Sequence, residues 1–360
     1  MRKVTDTLSA CCRAALIALV ALSTAITGGC AAAKLDPAAW QDSRIDTVWP
    51  QKPEKARIKL LRIIQGPDDV LSGQKSAVGR LFDYLLGEHN EYTGFYTPQC
   101  IAADANGLLL VADPSIGVVH RYDLAAREVS YIFQVGDKKL LSPVGVALDA
   151  QGALYVTDAQ LPGVFKYTSD GRFVGELDGK GKFKRPAGIA INSKGVKYVA
   201  DNQANRVFLF DKDDALAGEL PGAGFENESF NMPTYVAIDR DDTVYVSDTM
   251  NFTVRIFDKT GKYLRRLGQI GDSPGSFARP KGLALDSDRN LYVLDAIFGN
   301  FQIFNPQGQL LLYVGQEGAR PGELMLPSGI FIDKDDRIYV ADTFNHRIQV
   351  YQYLKEEVRK

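Results

Sequence analysis

"RPKGLALDSDRNLYVLDAIFGNFQIFNPQGQLLLYVGQEG" runs from Arg279 to Gly318. It contains four short apolar or aromatic runs, "GLALD", "LYVLD", "NFQIF" and "LLLYVG", separated by Asp, Asn and Gly. Runs of this kind between turn-forming residues read as strands. Anchored on its Pro and on the Asp that closes "YVLD", the pattern recurs along the chain. The proline is Pro98, Pro143, Pro186, Pro233, Pro280 and Pro327; the aspartate is Asp113, Asp158, Asp201, Asp248, Asp295 and Asp342. The Pro-to-Asp spacing is fifteen residues in all six copies, and the period is 43 to 47 residues. A four-stranded unit repeating at this interval is the blade of a β-propeller.

The repeat columns have physical content. Three residues before the Asp stand Tyr155, Tyr198, Tyr245, Tyr292 and Tyr339, with Leu110 in the first copy. Nine residues after it stand Tyr122, Tyr167, Phe210, Phe257, Phe304 and Tyr351. Four residues after the Pro comes Ala102, Ala147, Ala190, Ala237 or Ala284, and Phe331 in the last copy. Bulky columns fill gaps between neighbouring sheets, and a small column suits a strand crowded near an axis. Both tryptophans, Trp40 and Trp49, lie outside the repeats, which excludes WD40 blades. The one Gly-Gly pair, Gly28–Gly29, is outside them too, unlike kelch repeats.

The last copy, "LPSGIFIDKDDRIYVADTFNHRIQVY" (Leu326–Tyr351), resembles the NHL repeat, and the resemblance extends over roughly residues 57–353. It implies an all-β, six-bladed propeller. The sixth copy stops after its third strand, "RIQVYQY". The missing fourth strand has a match before the first Pro, in "ARIKLLRIIQG" (Ala56–Gly66). The N-terminal strand is therefore expected to complete blade six and close the ring, which removes an exposed sheet edge. The propeller is expected over residues 56–353, with 354–360 as a C-terminal tail.

Before the repeats, Arg2, Lys3 and Arg13 precede the apolar stretch Ala14–Ile26. A helix needs about 20 residues to span a bilayer, so this stretch suits a signal peptide, here residues 1–29. "ITGGCAAAK" resembles a bacterial lipobox, with Thr27 where Leu is usual. The resemblance implies cleavage before Cys30 and lipidation of Cys30. Ala31, in place of an Asp, leans towards outer-membrane anchoring, on the periplasmic or cell-surface side. Residues 30–55 read as a tether. Of the four cysteines, Cys11 and Cys12 leave with the signal, so Cys100 remains without an internal disulfide partner.

Residues 67–97 form an insertion between the closing strand and the first blade. Val78, Leu81, Phe82, Leu85 and Leu86 follow the spacing of an amphipathic helix, ended by Gly87. Its stripe either packs on the propeller or docks a partner. Fourth-to-first-strand links share a face with second-to-third-strand turns, so the insertion lies over one mouth of the central channel.

That mouth is where chemistry is expected. The two residues after each Pro are Gln99–Cys100, Val144–Gly145, Ala187–Gly188, Thr234–Tyr235, Lys281–Gly282 and Ser328–Gly329. No carboxylate or His stands among them, whereas catalytic Zn²⁺ wants about three N, O or S ligands and Ca²⁺ several oxygens. His89 lies in the insertion and His120 in a third strand. His346 shares its column with Gly117, Pro162, Asn205, Phe252 and Gly299, which reads as a turn. The six Asp residues closing second strands read as turn caps. "DKDD" (Asp333–Asp336) lies in a hairpin and lacks the EF-hand pattern. Cys100 reads as a buried structural thiol. "GKGKFKRP" (Gly179–Pro186) reads as a solvated loop; with a formal net charge of −2, no basic footprint points to nucleic acid.

These features point to a non-enzymatic binding or scaffold module of the cell envelope. It would recognise a protein, glycan or small ligand through the insertion-bearing face, with Gln99, Cys100, Tyr235, Lys281, Leu81, Phe82 and Leu85 as candidate contacts. No cofactor and no catalytic residue is assigned. Resemblance to bacterial lipoproteins of this kind implies an envelope complex with redox proteins, although the chain has no CxxCH for covalent haem. The alternative is a lactonase- or lyase-like propeller enzyme with a metal at the channel mouth, drawing on Asn202, Asn231, Tyr235 and Glu323.

Overall fold

The computed structural model describes residues 41–71, 94–104, 106–221 and 229–355. The signal stretch, Cys30, the amphipathic stripe with Leu81, Phe82 and Leu85, and His89 lie outside the described residues.

The six copies fold as six antiparallel sheets whose strand order follows the chain. Their innermost strands are Ile101–Ala103, Pro143–Leu148, Pro186–Ile191, Pro233–Ile238, Pro280–Leu285 and Ile330–Ile332. Each packs against the next, and the sixth packs against the first, so the ring is closed. The chain is thus an all-β, six-bladed propeller. In blades two to five the repeat Pro opens the inner strand, where it removes no ladder donor. In blade five the register slips between Pro280↔Asp295 and Leu283↔Val293, a bulge that bends the strand locally.

Register explains the small and aromatic columns. Ala147, Ala190, Ala237 and Ala284 sit directly opposite Tyr155, Tyr198, Tyr245 and Tyr292 on the neighbouring strand. A small residue makes room for the ring. Tyr245, Tyr292 and Tyr339 then bond through their hydroxyls to Asp239, Asp286 and Asp333, six residues earlier. Those aspartates also fold the hairpins; Asp333 Oδ1 accepts the N–H groups of Asp335 and Arg337 at 2.9 and 3.0 Å. The acidic strings are therefore turn-forming carboxylates.

The apolar core is divided into six clusters, each bridging two adjacent blades. Blade six is closed as the sequence predicts. Ile58–Ile64 pairs antiparallel with Arg347–Tyr353, from Ile58↔Tyr353 to Ile64↔Ile348, with one register shift between Leu60 and Arg62. This closing strand serves both flanking seams. Ile64 packs with Ile101, Leu109 and Tyr122 of blade one, whereas Ile58 and Leu60 pack with Tyr292 and Phe301 of blade five.

The sequence reading lacks the short helix Asp68–Leu71, the small hairpin Gln134–Lys139 and, most consequentially, a strand before the closing one. Val48–Trp49 adds a fifth strand outside the closing strand, pairing with Lys59 and Ile58. Asp42 N–H and Leu60 N–H bond to Leu61 O and Thr47 O, both at 2.9 Å. Trp49 reaches the ring of Tyr351, centroid to centroid 5.7 Å, and Ile45 joins the same seam. The tether expected up to Lys55 therefore gives way to packed chain from Asp42 to Trp49. The physical reason is the apolar area of Trp49 and Ile45, which is removed from water here.

Candidate functional site at the channel mouth

The walls of the mouth are set by buried aspartates. Each of the six strand-closing Asp residues is fully buried. Asp158 accepts four backbone N–H groups: Leu141 and Ser142 at 2.7 and 2.9 Å from the link before Pro143, and Gln160 and Leu161 at 2.9 and 2.8 Å from the turn after it. Asp201 holds Lys184, Arg185, Gln203 and Ala204 in the same way, and Asp295 holds Ala278, Arg279, Ile297 and Phe298. These carboxylates do more than cap turns. They fasten the two loops of one blade that together form the mouth.

The inner strands approach so closely that side chains are excluded. A Cβ on Gly145 would lie 2.2 Å from Ala187 O, on Gly188 2.5 Å from Thr234 O, and on Gly329 2.0 Å from Gln99 O. Glycine is required here for contact between blades, with no positive φ involved. The two departures from this glycine column are Cys100 in blade one and Tyr235 in blade four, which face each other across a ring of six. Tyr235 spans the channel and its hydroxyl donates to Gln99 O at 3.1 Å. Burial pushes the Tyr235 phenol well above its ordinary pKa, so it stays a neutral donor.

This crossbar divides the channel. On one side, a cavity of about 290 Å³ is lined by Ile101, Val146, Ile189, Val236, Leu283 and Ile330, with Cys100 among them. On the other, at the strand starts, a cavity of about 180 Å³ is lined by Gln99, Arg185, Asn202, Arg279, Lys281 and Ser328. Of the candidate contacts, Gln99, Tyr235 and Lys281 line this one cavity. Cys100 is not at the mouth; it lies on the apolar side, its Sγ 3.7 Å from Val146 O. Burial pushes its thiol up to about 11, which makes it a poor nucleophile.

Among the described residues the mouth presents cations and neutral polar groups. Lys281 Nζ donates to Ser328 Oγ at 3.0 Å. Burial, then the nearby charge of Arg279, hold Lys281 down to about 8. Arg185 and Arg279 are fixed at the backbone by Asp201 and Asp295, while their guanidinium groups bond to no described residue. Arg185 is hidden in "GKGKFKRP", which reads as a solvated loop, and Arg279 escapes a reading confined to the two residues after each Pro. The position before it, occupied by Thr97, Ser142, Arg185, Met232, Arg279 and Leu326, carries the signal.

The groups named for an enzyme are dispersed. Asn202 is at the mouth, but Asn231 lines a separate polar cleft with Asn251 and Arg255. Glu323 is engaged by Gln316 Nε2 at 3.0 Å and by Arg320 N–H at 2.9 Å. No group of three His, Cys, Asp or Glu residues that could hold a metal ion occurs among the described residues. His120 is buried, with Nε2 3.4 Å from Asp113 Oδ2, edge-on to Phe95 and Tyr131. His346 is the left-handed residue that ends the turn after Asp342, φ 54°, and bonds to Tyr96 O of blade one.

The face around the mouth is apolar. Tyr96, Leu141, Met250, Ile297, Leu326 and Phe344, all in its links and turns, are 44–58% exposed. Five other exposed apolar side chains, Phe173, Val174, Leu264, Leu311 and Tyr313, lie on the outermost strands of blades two, four and five.

Comparison with known proteins agrees with the fold. A family model described as a 6-bladed beta-propeller matches residues 235–299, and the NHL repeat model matches residues 324–351. A search of curated protein sequences gives no match. Among solved structures, a streptogramin B lyase is 14% identical, with TM-score 0.55, over 72% of this chain and 94% of its own. Virginiamycin B lyase from Staphylococcus aureus gives 14% identity and TM-score 0.54 over 72% and 96%. An auxiliary nutrient binding protein from Bacteroides thetaiotaomicron gives 16% identity and TM-score 0.59 over 73% and 70%. At these identities the likeness concerns the fold alone.

Proposed function

We propose that this NHL-type six-bladed propeller is an exported, lipid-anchored binding module of the bacterial envelope, without enzymatic activity, whose link-and-turn face docks a protein partner. The observation that carries the reading is the group of exposed apolar side chains in the links and turns around the mouth. Scattered apolar residues on a surface are ordinary, but six gathered around one opening describe an interaction face. The face is also rigid, because the buried aspartates bolt its loops down. A preformed face loses little conformational freedom on binding, which favours affinity.

The test is a comparison of proteins captured from envelope extracts by the wild type and by a Leu141→Asp, Phe344→Asp double variant. Both side chains are exposed, so the fold is expected to survive, as circular dichroism would check. Capture is expected to fall at least about tenfold, a loss of roughly 1.4 kcal/mol. An unchanged set of partners would remove the reading. The anchor is tested separately. Cys30→Ser is expected to abolish metabolic labelling by palmitate and to release the protein from membranes; a labelled, membrane-bound variant would refute it.

A further inference from the structure

Among the described residues the mouth holds three cations and no carboxylate to balance them, and for the half-buried Lys281 this is unusual within the molecule. The well-buried cations elsewhere each hold an acid: Lys197 is 2.5 Å from Asp214, Arg255 2.6 Å from Asp248 and Arg347 2.6 Å from Asp342. Lys281, set into the inner wall, has only the neutral Ser328 hydroxyl among the described residues, and beside it stand the exposed Arg185 and Arg279, whose guanidinium groups have no described partner. Placing like charges around one small cavity is unfavourable unless something negative enters it.

We propose that the channel mouth is an anion-binding site in which Arg185, Arg279 and Lys281 hold a carboxylate or phosphate group. Three further features suit it to that task. Arginine offers a planar fork for two-point contact with either group, and Asn202 and Ser328 supply neutral polar contacts beside it. The Tyr235 crossbar gives the cavity a floor, so an anion is stopped at the level of the cations. Its volume, about 180 Å³, is room for a head group; drug-sized ligands fill clefts of about 300–1,000 Å³. The rest of the ligand must therefore lie outside, on the apolar face.

The inference rests on the reading of that face as the binding face, and specifies the chemistry at its centre. Lys281 adds a pH signature. The groups facing it are Arg279 on its own strand, Arg185 across the cavity, and Tyr235 and Ser328 on the flanking inner strands. The nearest strand-end acids, Asp248 and Asp295, are buried and engaged by Arg255, Asn251 and backbone N–H groups. Lys281 is charged below about 8 and neutral above it, so anion binding is present at neutral pH and weakens as pH rises through 8.

The experiment is calorimetric titration of the full chain with inorganic phosphate, with succinate, and with a short acidic peptide at low ionic strength, using neutral succinamide as the control. Saturable binding of an anion is expected, weakened at least about tenfold in an Arg185→Gln, Arg279→Gln double variant and unchanged in Lys194→Gln on the opposite face. Tighter binding of the peptide than of succinate identifies a partner chain as the source of the anion; equal binding identifies a free small ligand; either upholds the site. Non-saturable binding, equal loss in Lys194→Gln, or binding of succinamide as tight as succinate would overturn it. The two readings separate cleanly. If both hold, the Leu141→Asp, Phe344→Asp variant loses partner capture while retaining anion binding; if only the face reading holds, that variant loses capture and even the wild type shows no saturable anion binding.

Discussion

Leu60→Asp is expected to destabilise the propeller by about 4 kcal/mol or more, a loss in the range reserved for charges placed in cores. Leu60 is fully buried in the seam between blades five and six, on the strand that closes the ring. Removing its side chain from that seam forfeits roughly 1.5–3 kcal/mol, and a carboxylate in its place adds a desolvation cost. The strand is also the one covering the third strand of blade six, so its displacement exposes the edge Arg347–Tyr353. The measurement is urea unfolding, with Lys55→Ser, an exposed residue just before the strand, as the control expected to change nothing. A midpoint for Leu60→Asp close to the wild type would show that the closing strand lies outside the cooperative unit.

The second large effect belongs to the aspartates. Asp158→Ala is expected to cost about 3–4 kcal/mol, and Asp158→Asn about 2 kcal/mol, because an orphaned buried donor costs roughly 1–3 kcal/mol and four donors converge here. Water can reach part of the site through the exposed neighbours Leu141 and Gln160, which keeps the sum below four full penalties. Asparagine keeps one acceptor oxygen but turns an NH₂ group towards donors, hence its intermediate position. Asp170→Ala is the contrasting case. Its ion pair with Arg172 is at the surface, and its loss is expected to fall within about 0.5 kcal/mol. If Asp158→Ala behaved like Asp170→Ala, the aspartate column would be incidental to the fold.

The ring itself was legible from single residues in register. Pro, Tyr and Asp columns placed the strands, and the mismatch between an unfinished last copy and "RIKLLRII" placed the closure. Turn residues such as His346 could be recognised because five other copies show what the position requires. What escaped is what the repeat does not encode. Val48–Trp49 is a two-residue strand, too short for any alternation to show, and is held by side-chain burial of Trp49 and Ile45. Tyr235 and Gln99 are opposite one another only because six blades happen to place blade four across from blade one. Arg185 and Arg279 stand in different copies and meet at an axis that no local pattern describes. Repetition reveals the wall, while the site is made from departures from repetition in blades that are not neighbours in the chain.

The closing strand also sets the order in which the molecule can be finished. Ile58–Ile64 leaves the ribosome about 280 residues ahead of its partner, an interval of roughly 15–60 s at ordinary rates of synthesis. Throughout that interval it is an apolar, strand-forming heptapeptide whose only native partner already made is the two-residue strand Val48–Trp49, the kind of segment that associates with other copies. Lys59 and Arg62 interrupt it. Their charges keep the heptapeptide soluble while the other five blades are made.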